Sequence, residues 1–257
     1  MEKTFSNQIL LRLRILFNDF ITYFIFFKII AMKDSNKQTN KCETKQIFDY
    51  SNHFNNVKYC LPSFFLIKDD YKLYNKKVLD VWAWPWQYLQ FFWKDSLWIE
   101  ISDKNIESIR NLWYNADKID LNIFPYKDLN KYWKFDIVFS SHVIEHLYSP
   151  ILFIWELTKY LKDDGKIIIW YPTRFSLVRL FDPYFSLKEM HHLYDFGLTW
   201  IKVLLKANWL EIEKIYYDIP FAWRSKFFNW IQKIVQPLPY WMVSRRSHAL
   251  YIVARKK

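Results

Sequence analysis

Glycine is almost missing from this chain: two residues in 257, where ordinary usage would give about 18. Tryptophan, normally among the rarest residues, occurs 14 times. With so little glycine, few residues are suited to turns that need φ > 0. Either the fold avoids such turns, or many tryptophans stand at glycine positions. The stretch VLDVWAWPWQYL (78–89) brings the two readings together. A short apolar strand carries Asp80 near its end, and a turn then opens a helical stretch through Gln87–Trp93. Such a turn brings backbone N–H groups and a helix N-terminus close to a ligand. Its alternate positions need residues without a side chain, because a Cβ blocks both the backbone angles and the ligand. Trp82, Trp84 and Trp86 occupy those positions.

The length fits one α/β domain with additions, or two small domains. A hydrophobic fraction of 52% excludes disorder as the main state. Cys42 and Cys60 form neither a metal spacing nor a disulfide framework, which indicates a reducing, cytoplasmic setting and no metal site. A net charge of +11 suits nucleic acid or an anionic membrane. The basic residues are mostly Lys, however, and Asn, Ile, Phe and Tyr are also abundant, as AT-rich coding produces. The charge alone therefore identifies no partner.

Residues 1–31 are apolar and aromatic but interrupted by Arg12, Arg14, Asn18, Asp19 and Lys28. A spanning helix needs about 20 predominantly apolar residues, and no small-residue cleavage site follows. Three readings stay open: an interfacial helix with weak membrane-surface association, a mis-called start upstream of Met32, or a real span. Residues 1–74 are expected to form an N-terminal extension and helical cap, and 75–257 an α/β domain.

Within 75–257 the pattern alternates. KKVLDV (76–81), LWIEI (97–101), a segment near Ala116–Leu121, FDIVFSS (135–141), KIIIWY (166–171), LEIEKIYY (210–217) and HALYIVAR (248–255) read as strands. DKNIESIRNL (103–112), with Asp103 near its start, and LTWIKVLLKAN (198–208) read as helices. So does SPILFIWELTKYLK (149–162), with Ser149 as N-cap and Pro150 at the first position. This alternation predicts a Rossmann-like α/β fold, a mostly parallel seven-stranded sheet with helices on both faces.

With glycine at 82, 84 and 86 the turn reads VLDVGAGPGQYL, and in that form it resembles motif I of class I S-adenosylmethionine-dependent methyltransferases. FDIVFSSHVIEHL (135–147) is similar to the fourth-strand segment of the subgroup related to ubiquinone-biosynthesis methyltransferases, and the likeness runs from about Asn75 to Lys257. It implies S-adenosylmethionine as cofactor. Its contacts would come from Asp80, Trp82, Ala83, Trp84 and Trp86 in the turn and from Glu100 and Ile101 after the second strand, with the acid on the ribose hydroxyls. Asp120 and Leu121 after the third strand, and Ser141 and His142 after the fourth, would complete the set.

For the chemistry, His146 is a candidate general base or a hydrogen-bonded structural histidine. Glu145 either binds near the methionine amino group or begins the next helix. Of the adjacent pair His191 and His192, at most one faces the acceptor, and His192 is the second catalytic candidate. The acceptor would be an O, N or C atom on a small metabolite, a lipid-linked molecule or a sugar. The basic residues Arg245, Arg246, Arg255, Lys256 and Lys257 leave nucleic acid open, although no RNA-binding module accompanies them. Two other readings remain. One is a nicotinamide-dependent enzyme, against which G-x-G-x-G departs from the usual G-x-G-x-x-G. The other is an aromatic, basic membrane- or nucleic-acid-binding protein, if the tryptophans are literal.

Trp98, Trp113 and Trp209 also stand where glycine is expected, the last two as the left-handed residue that ends a helix. Translation of UGA as Trp, in an organism that reads it as Gly, accounts for the pattern. Trp155, Trp200, Trp223, Trp230 and Trp241 fit either residue. Taken literally, each left-handed tryptophan costs about 1–2 kcal/mol.

Overall fold

The apolar runs and amphipathic stretches assemble into one α/β unit in a computed structural model. The structure describes residues 62–81, 86–173, 193–218, 226–239, 243, 247 and 249–257, with backbone alone at 62, 86, 87, 226–229 and 231. All of these fall within one compact unit, Asp49–Lys257. In chain order the main elements are α1 (Pro62–Tyr71), β1 (Val78–Val81), a 3-10 helix (Trp86–Phe91), β2 (Leu97–Glu100), α2 (Asp103–Asn111), β3 (Asn115–Lys118) and β4 (Phe135–Ser141). They continue with α3 (Pro150–Thr158), β5 (Leu161–Pro172), α4 (Leu198–Ala207), β6 (Leu210–Asp218), α5 (Lys226–Val235) and β7 (Ala249–Lys256).

The seven strands lie in the order β3-β2-β1-β4-β5-β7-β6. The first five are parallel, and β7 runs antiparallel between β5 and β6. Strands covered on both faces should be apolar at nearly every position, and β1 and β2 are buried throughout. On one face Leu79, Ile99 and Val138 pack with Phe153, Ile154 and Leu157 of α3 and Ile201 and Leu205 of α4. On the other, Val78, Trp98 and Phe139 pack with Phe64 and Ile67 of α1, Tyr88, Leu89 and Phe92, and Ile106 and Ile109 of α2. The sequence reading divides the chain at residue 74. In the structure α1 is built into this second core, and Ser63 Oγ donates to Asp218 Oδ1 at the end of β6 (3.1 Å).

Several boundaries differ from expectation, each for a local reason. The helical stretch expected through Gln87–Trp93 is a 3-10 helix over Trp86–Phe91, and the Phe92 N–H to Leu89 C=O bond (3.1 Å) continues its pattern. β3 stops at Lys118 rather than near Leu121, because the Asp120 carboxylate accepts the Asn122 N–H (2.9 Å) and turns the chain. Helix α3 ends at Thr158, since the Tyr160 carbonyl accepts the Phe135 N–H (2.8 Å) and Leu161 pairs with Phe135 in the sheet. Pro150 is at the first helical turn as expected, but the Ser149 side chain makes no capping bond. Ser102 instead caps α2, its side chain accepting the Asn105 N–H. No helix among the described residues is long and apolar enough to cross a membrane.

Two helix ends carry the glycine question. After α2, Trp113 has φ 66. Its N–H donates to Arg110 C=O (2.9 Å), and the Tyr114 N–H reaches Ile109 C=O (3.4 Å). These are the paired bonds of a Schellman motif, whose left-handed position favours glycine. After α4, Trp209 has φ 57, and its N–H donates to Lys206 C=O (3.2 Å). The two indoles are 93% and 77% exposed, so they gain little packing in return. Trp98 is different: it lies in regular strand, is fully buried, and stacks on Phe92 (centroids 6.2 Å apart).

Trp113→Gly and Trp209→Gly should therefore each stabilise the chain by about 0.5–1 kcal/mol, the relief of left-handed strain less the extra entropy of an unfolded glycine. Denaturant midpoints of the two variants check this, and a loss of stability at both sites would contradict it.

Candidate cofactor cleft

Strand order reverses between β1 and β4: the chain steps outward from β1 through β2 to β3, then returns to the other side of β1. In open α/β sheets, ligands bind outside the carboxyl ends of the strands at such a switch point. Val81, the last residue of β1, pairs with Ser140 of β4, so residues 82–85 follow directly from this point. Trp82, Ala83 and Trp84 lie outside the described residues, and Trp86 opens the 3-10 helix, with only its backbone described.

Asp80 lies beside Trp98 on one side and Phe139 on the other. It is buried, and its Oδ2 accepts the Trp98 indole N–H (2.9 Å). Its Oδ1 has no partner, nor do the buried hydroxyls of Ser140 and Ser141 at the end of β4. Buried polar groups are normally satisfied, so three orphaned oxygens on adjacent strand ends fit a polar ligand reaching into this point. Burial pushes the Asp80 carboxyl up to about 7; the Trp98 bond opposes the shift and the charge of Glu100 adds to it.

At the end of β2, Glu100 is buried. Its Oε1 accepts the N–H groups of Ile101 (2.7 Å) and Ser102 (3.1 Å), and its Oε2 accepts from Asn105 Nδ2 (3.3 Å). The turn amides thus hold the acid at the rim, while the Ile101 side chain is exposed. Asp120 is brought near by the Ile119 N–H, which donates to Glu100 C=O (3.1 Å). Leu121 is buried, and its carbonyl accepts the Tyr126 hydroxyl (2.7 Å).

Beyond β4 the backbone turns sharply, with His142 at φ 53. Its N–H donates to Trp170 C=O (2.9 Å), and its ring Nδ1 lies 3.0 Å from Glu145 Oε1. Glu145 is buried within the 3-10 turn Ile144–His146, so it does not begin α3. Burial alone would raise its carboxyl; the hydrogen bond and charge of His142, with the charge of His146, hold it below the usual range. An ionised carboxylate only accepts, so the hydrogen between the two groups lies on His142 Nδ1. His146 closes this turn, and His192 lies outside the described residues. The Glu145 carbonyl accepts the N–H groups of Leu193 (2.8 Å) and Tyr194 (3.2 Å), which ties the returning chain to the same turn.

Two neighbours escape the sequence reading. Ser140 sits inside the quoted strand motif, where the doubled serine at the strand end was its signal. Trp170 pairs with Ser141 in register, stacks on Tyr251 (5.0 Å) and meets the His142 ring edge-on (4.1 Å), with its indole N–H buried and unpartnered. Nothing local distinguishes it from the rest of its strand. No three His, Cys, Asp or Glu side chains converge as metal ligands among the described residues. A separate cavity of about 500 Å³, lined by Lys127, Tyr132, Lys134, Glu156 and Tyr160 among others, opens beside the start of β4 and contains none of these site residues.

The Asp80 shift has a definite sign. The fold favours the protonated acid, so this stabilisation is complete below the ordinary 3.8 and is lost as pH rises through about 7. Asp80→Asn, which cannot ionise, should gain stability over the parent between pH 4 and pH 8, by on the order of 4 kcal/mol at full shift. A stability difference independent of pH, measured by denaturant titration, would contradict the assignment.

Residues 84–169 match a family described as a methyltransferase domain. Among solved structures, a SAM-dependent methyltransferase from Archaeoglobus fulgidus aligns with TM-score 0.54 and 17% identity, over 80% of this chain and 98% of its own. A possible histamine N-methyltransferase from Thermotoga maritima aligns with TM-score 0.54 and 14% identity, over 80% and 94%. A TehB-like SAM-dependent methyltransferase from Corynebacterium glutamicum aligns with TM-score 0.52 and 15% identity, over 91% and 99%. At these identities the structures speak to the fold. No curated protein sequence matches the chain. Residues 84–169 thus match a methyltransferase domain, and the chain has the fold of the S-adenosylmethionine-dependent methyltransferases it resembles.

Proposed function

We propose that the mature protein carries glycine at 82, 84 and 86, introduced where UGA is read as Gly, and that it methylates an O, N or C atom. The acceptor would be a small metabolite, a lipid-linked molecule or a sugar. The reading extends to the subgroup related to ubiquinone-biosynthesis enzymes and to a cytoplasmic setting. The observation that carries it is the orphaned Asp80 Oδ1 with the Ser140 and Ser141 hydroxyls, gathered at the strand-order reversal where the turn begins. The left-handed φ of Trp113 and Trp209 supports glycine at helix ends elsewhere in the same chain.

In this reading Asp80 and the 82–86 backbone hold the methionine end, Glu100 takes the ribose hydroxyls, and Asp120 with Leu121 borders the adenine. Ser141 and His142 flank the cofactor from the β4 side, with Ile101 and Ala83 contributing backbone. When bound, S-adenosylmethionine supplies a methyl group on a good sulfonium leaving group. The protein's own part is alignment and, for O–H or N–H acceptors, removal of a proton. His142, whose ring is held by Glu145 through Nδ1, joins His146 and His192 as a candidate base. Trp98 competes in this account, because its indole holds the Asp80 oxygen that a glycine would leave free.

Calorimetric titration with S-adenosylmethionine tests the proposal. The Trp82→Gly, Trp84→Gly, Trp86→Gly chain should bind saturably while the literal chain does not. Equal binding by both would overturn the recoding, and folded but non-binding glycine protein would overturn the cofactor assignment.

A further inference from the structure

Helix α3 is apolar on both sides. Phe153, Ile154 and Leu157 face the core, yet Ile151, Leu152 and Trp155 point outward, continuing a stripe from Tyr148 at i, i+3, i+4 and i+7. Helix α4 packs beside α3 and adds Trp200 and Val203. These six side chains are 45–76% exposed. A surface helix normally presents charge outward, and contiguous exposed apolar side chains mark interaction surfaces.

The charges on the two helices name the partner. Their only acid, Glu156, is buried and paired with Lys159, just past α3 (2.7 Å). The charged side chains they expose are Lys202 and Lys206. The Lys159 ammonium also lies 3.5 Å from the Trp155 ring centroid, over the aromatic face. Aromatic and aliphatic side chains bordered by lysines are the composition that settles into the headgroup boundary of an anionic bilayer. A second copy across a two-fold axis would set lysine against lysine. Glycine within a helix costs about 1 kcal/mol, so Trp155 and Trp200 are taken here as genuine.

We infer that the outer face of α3 and α4 docks on an anionic lipid surface and that the acceptor is borne by a lipid. The second half of this inference rests on the methyltransferase reading. The stripe starts at Tyr148, whose carbonyl accepts the Tyr194 hydroxyl (3.0 Å) at the same end of the sheet as His142 and Glu145. Docking there sets the cleft beside the membrane, where a lipid headgroup reaches it without leaving the bilayer.

The test is sedimentation of the full-length chain with equimolar phosphatidylglycerol–phosphatidylcholine vesicles and with phosphatidylcholine alone. The parent should bind the anionic vesicles, and Lys202→Glu/Lys206→Glu should bind them at least about tenfold more weakly. Ile151→Gln/Leu152→Gln/Val203→Ser should weaken binding to both compositions, with melting curves confirming that each variant is folded. Residues 1–31 are intact in every variant, so unchanged binding overturns the inference by placing attachment elsewhere. A variant that turns a dimer into a monomer in solution while vesicle binding persists also overturns it. S-adenosylmethionine binding is measured on the same variants carrying Trp82→Gly, Trp84→Gly and Trp86→Gly: its absence strikes the methyltransferase reading and leaves the docking result standing on its own.

Discussion

Pairing of β1 with β2 on one side and β4 on the other holds the rest of the molecule in place. Four residues, all buried, carry it, and Asp80 lies among them. A carboxyl in the middle of a parallel sheet is an unfavourable placement, since burial disfavours its charge. The sheet around it gives only one hydrogen bond, from Trp98. The same pairing brings the ends of β1 and β4 together and so defines the point from which the chain continues into residues 82–85. Cofactor cleft and sheet topology are in this sense one feature: the strand reversal that orders the sheet also leaves the Asp80 Oδ1 and the β4 serines without partners.

The central strands were legible because burial on both faces imposes a continuous apolar run. FDIVFSS gives β4 residue for residue. The bounds of β3 were not: in Asn115–Lys118 only Ala116 is buried, so its exact place rests on backbone pairing with β2, which leaves no side-chain pattern. The end of α3 was misjudged for a similar reason, because the sheet rather than helix propensity claims Tyr160 and Leu161.

In the site, residues at strand ends were readable by position, and Asp80, Glu100, Ser141 and His142 all lie at the carboxyl edge. The bond between His142 and Glu145 was not readable, because it depends on a left-handed turn that swings the histidine back over the 3-10 turn. The tryptophans divide along physical lines. At 113 and 209 the backbone itself asks for glycine, whereas at 98 the indole is buried and hydrogen-bonded, so composition alone could not separate the cases. The outward apolar stripe of α3 was likewise hidden, since a helix apolar all round reads in sequence as a buried one.

The most direct measurement is peptide mass spectrometry on the protein from its native source, aimed at the tryptic peptide from Val78 to Lys94. The account predicts glycine mass at 82, 84 and 86. Tryptophan mass at those three positions would contradict it and leave a cofactor turn whose alternate positions carry indoles.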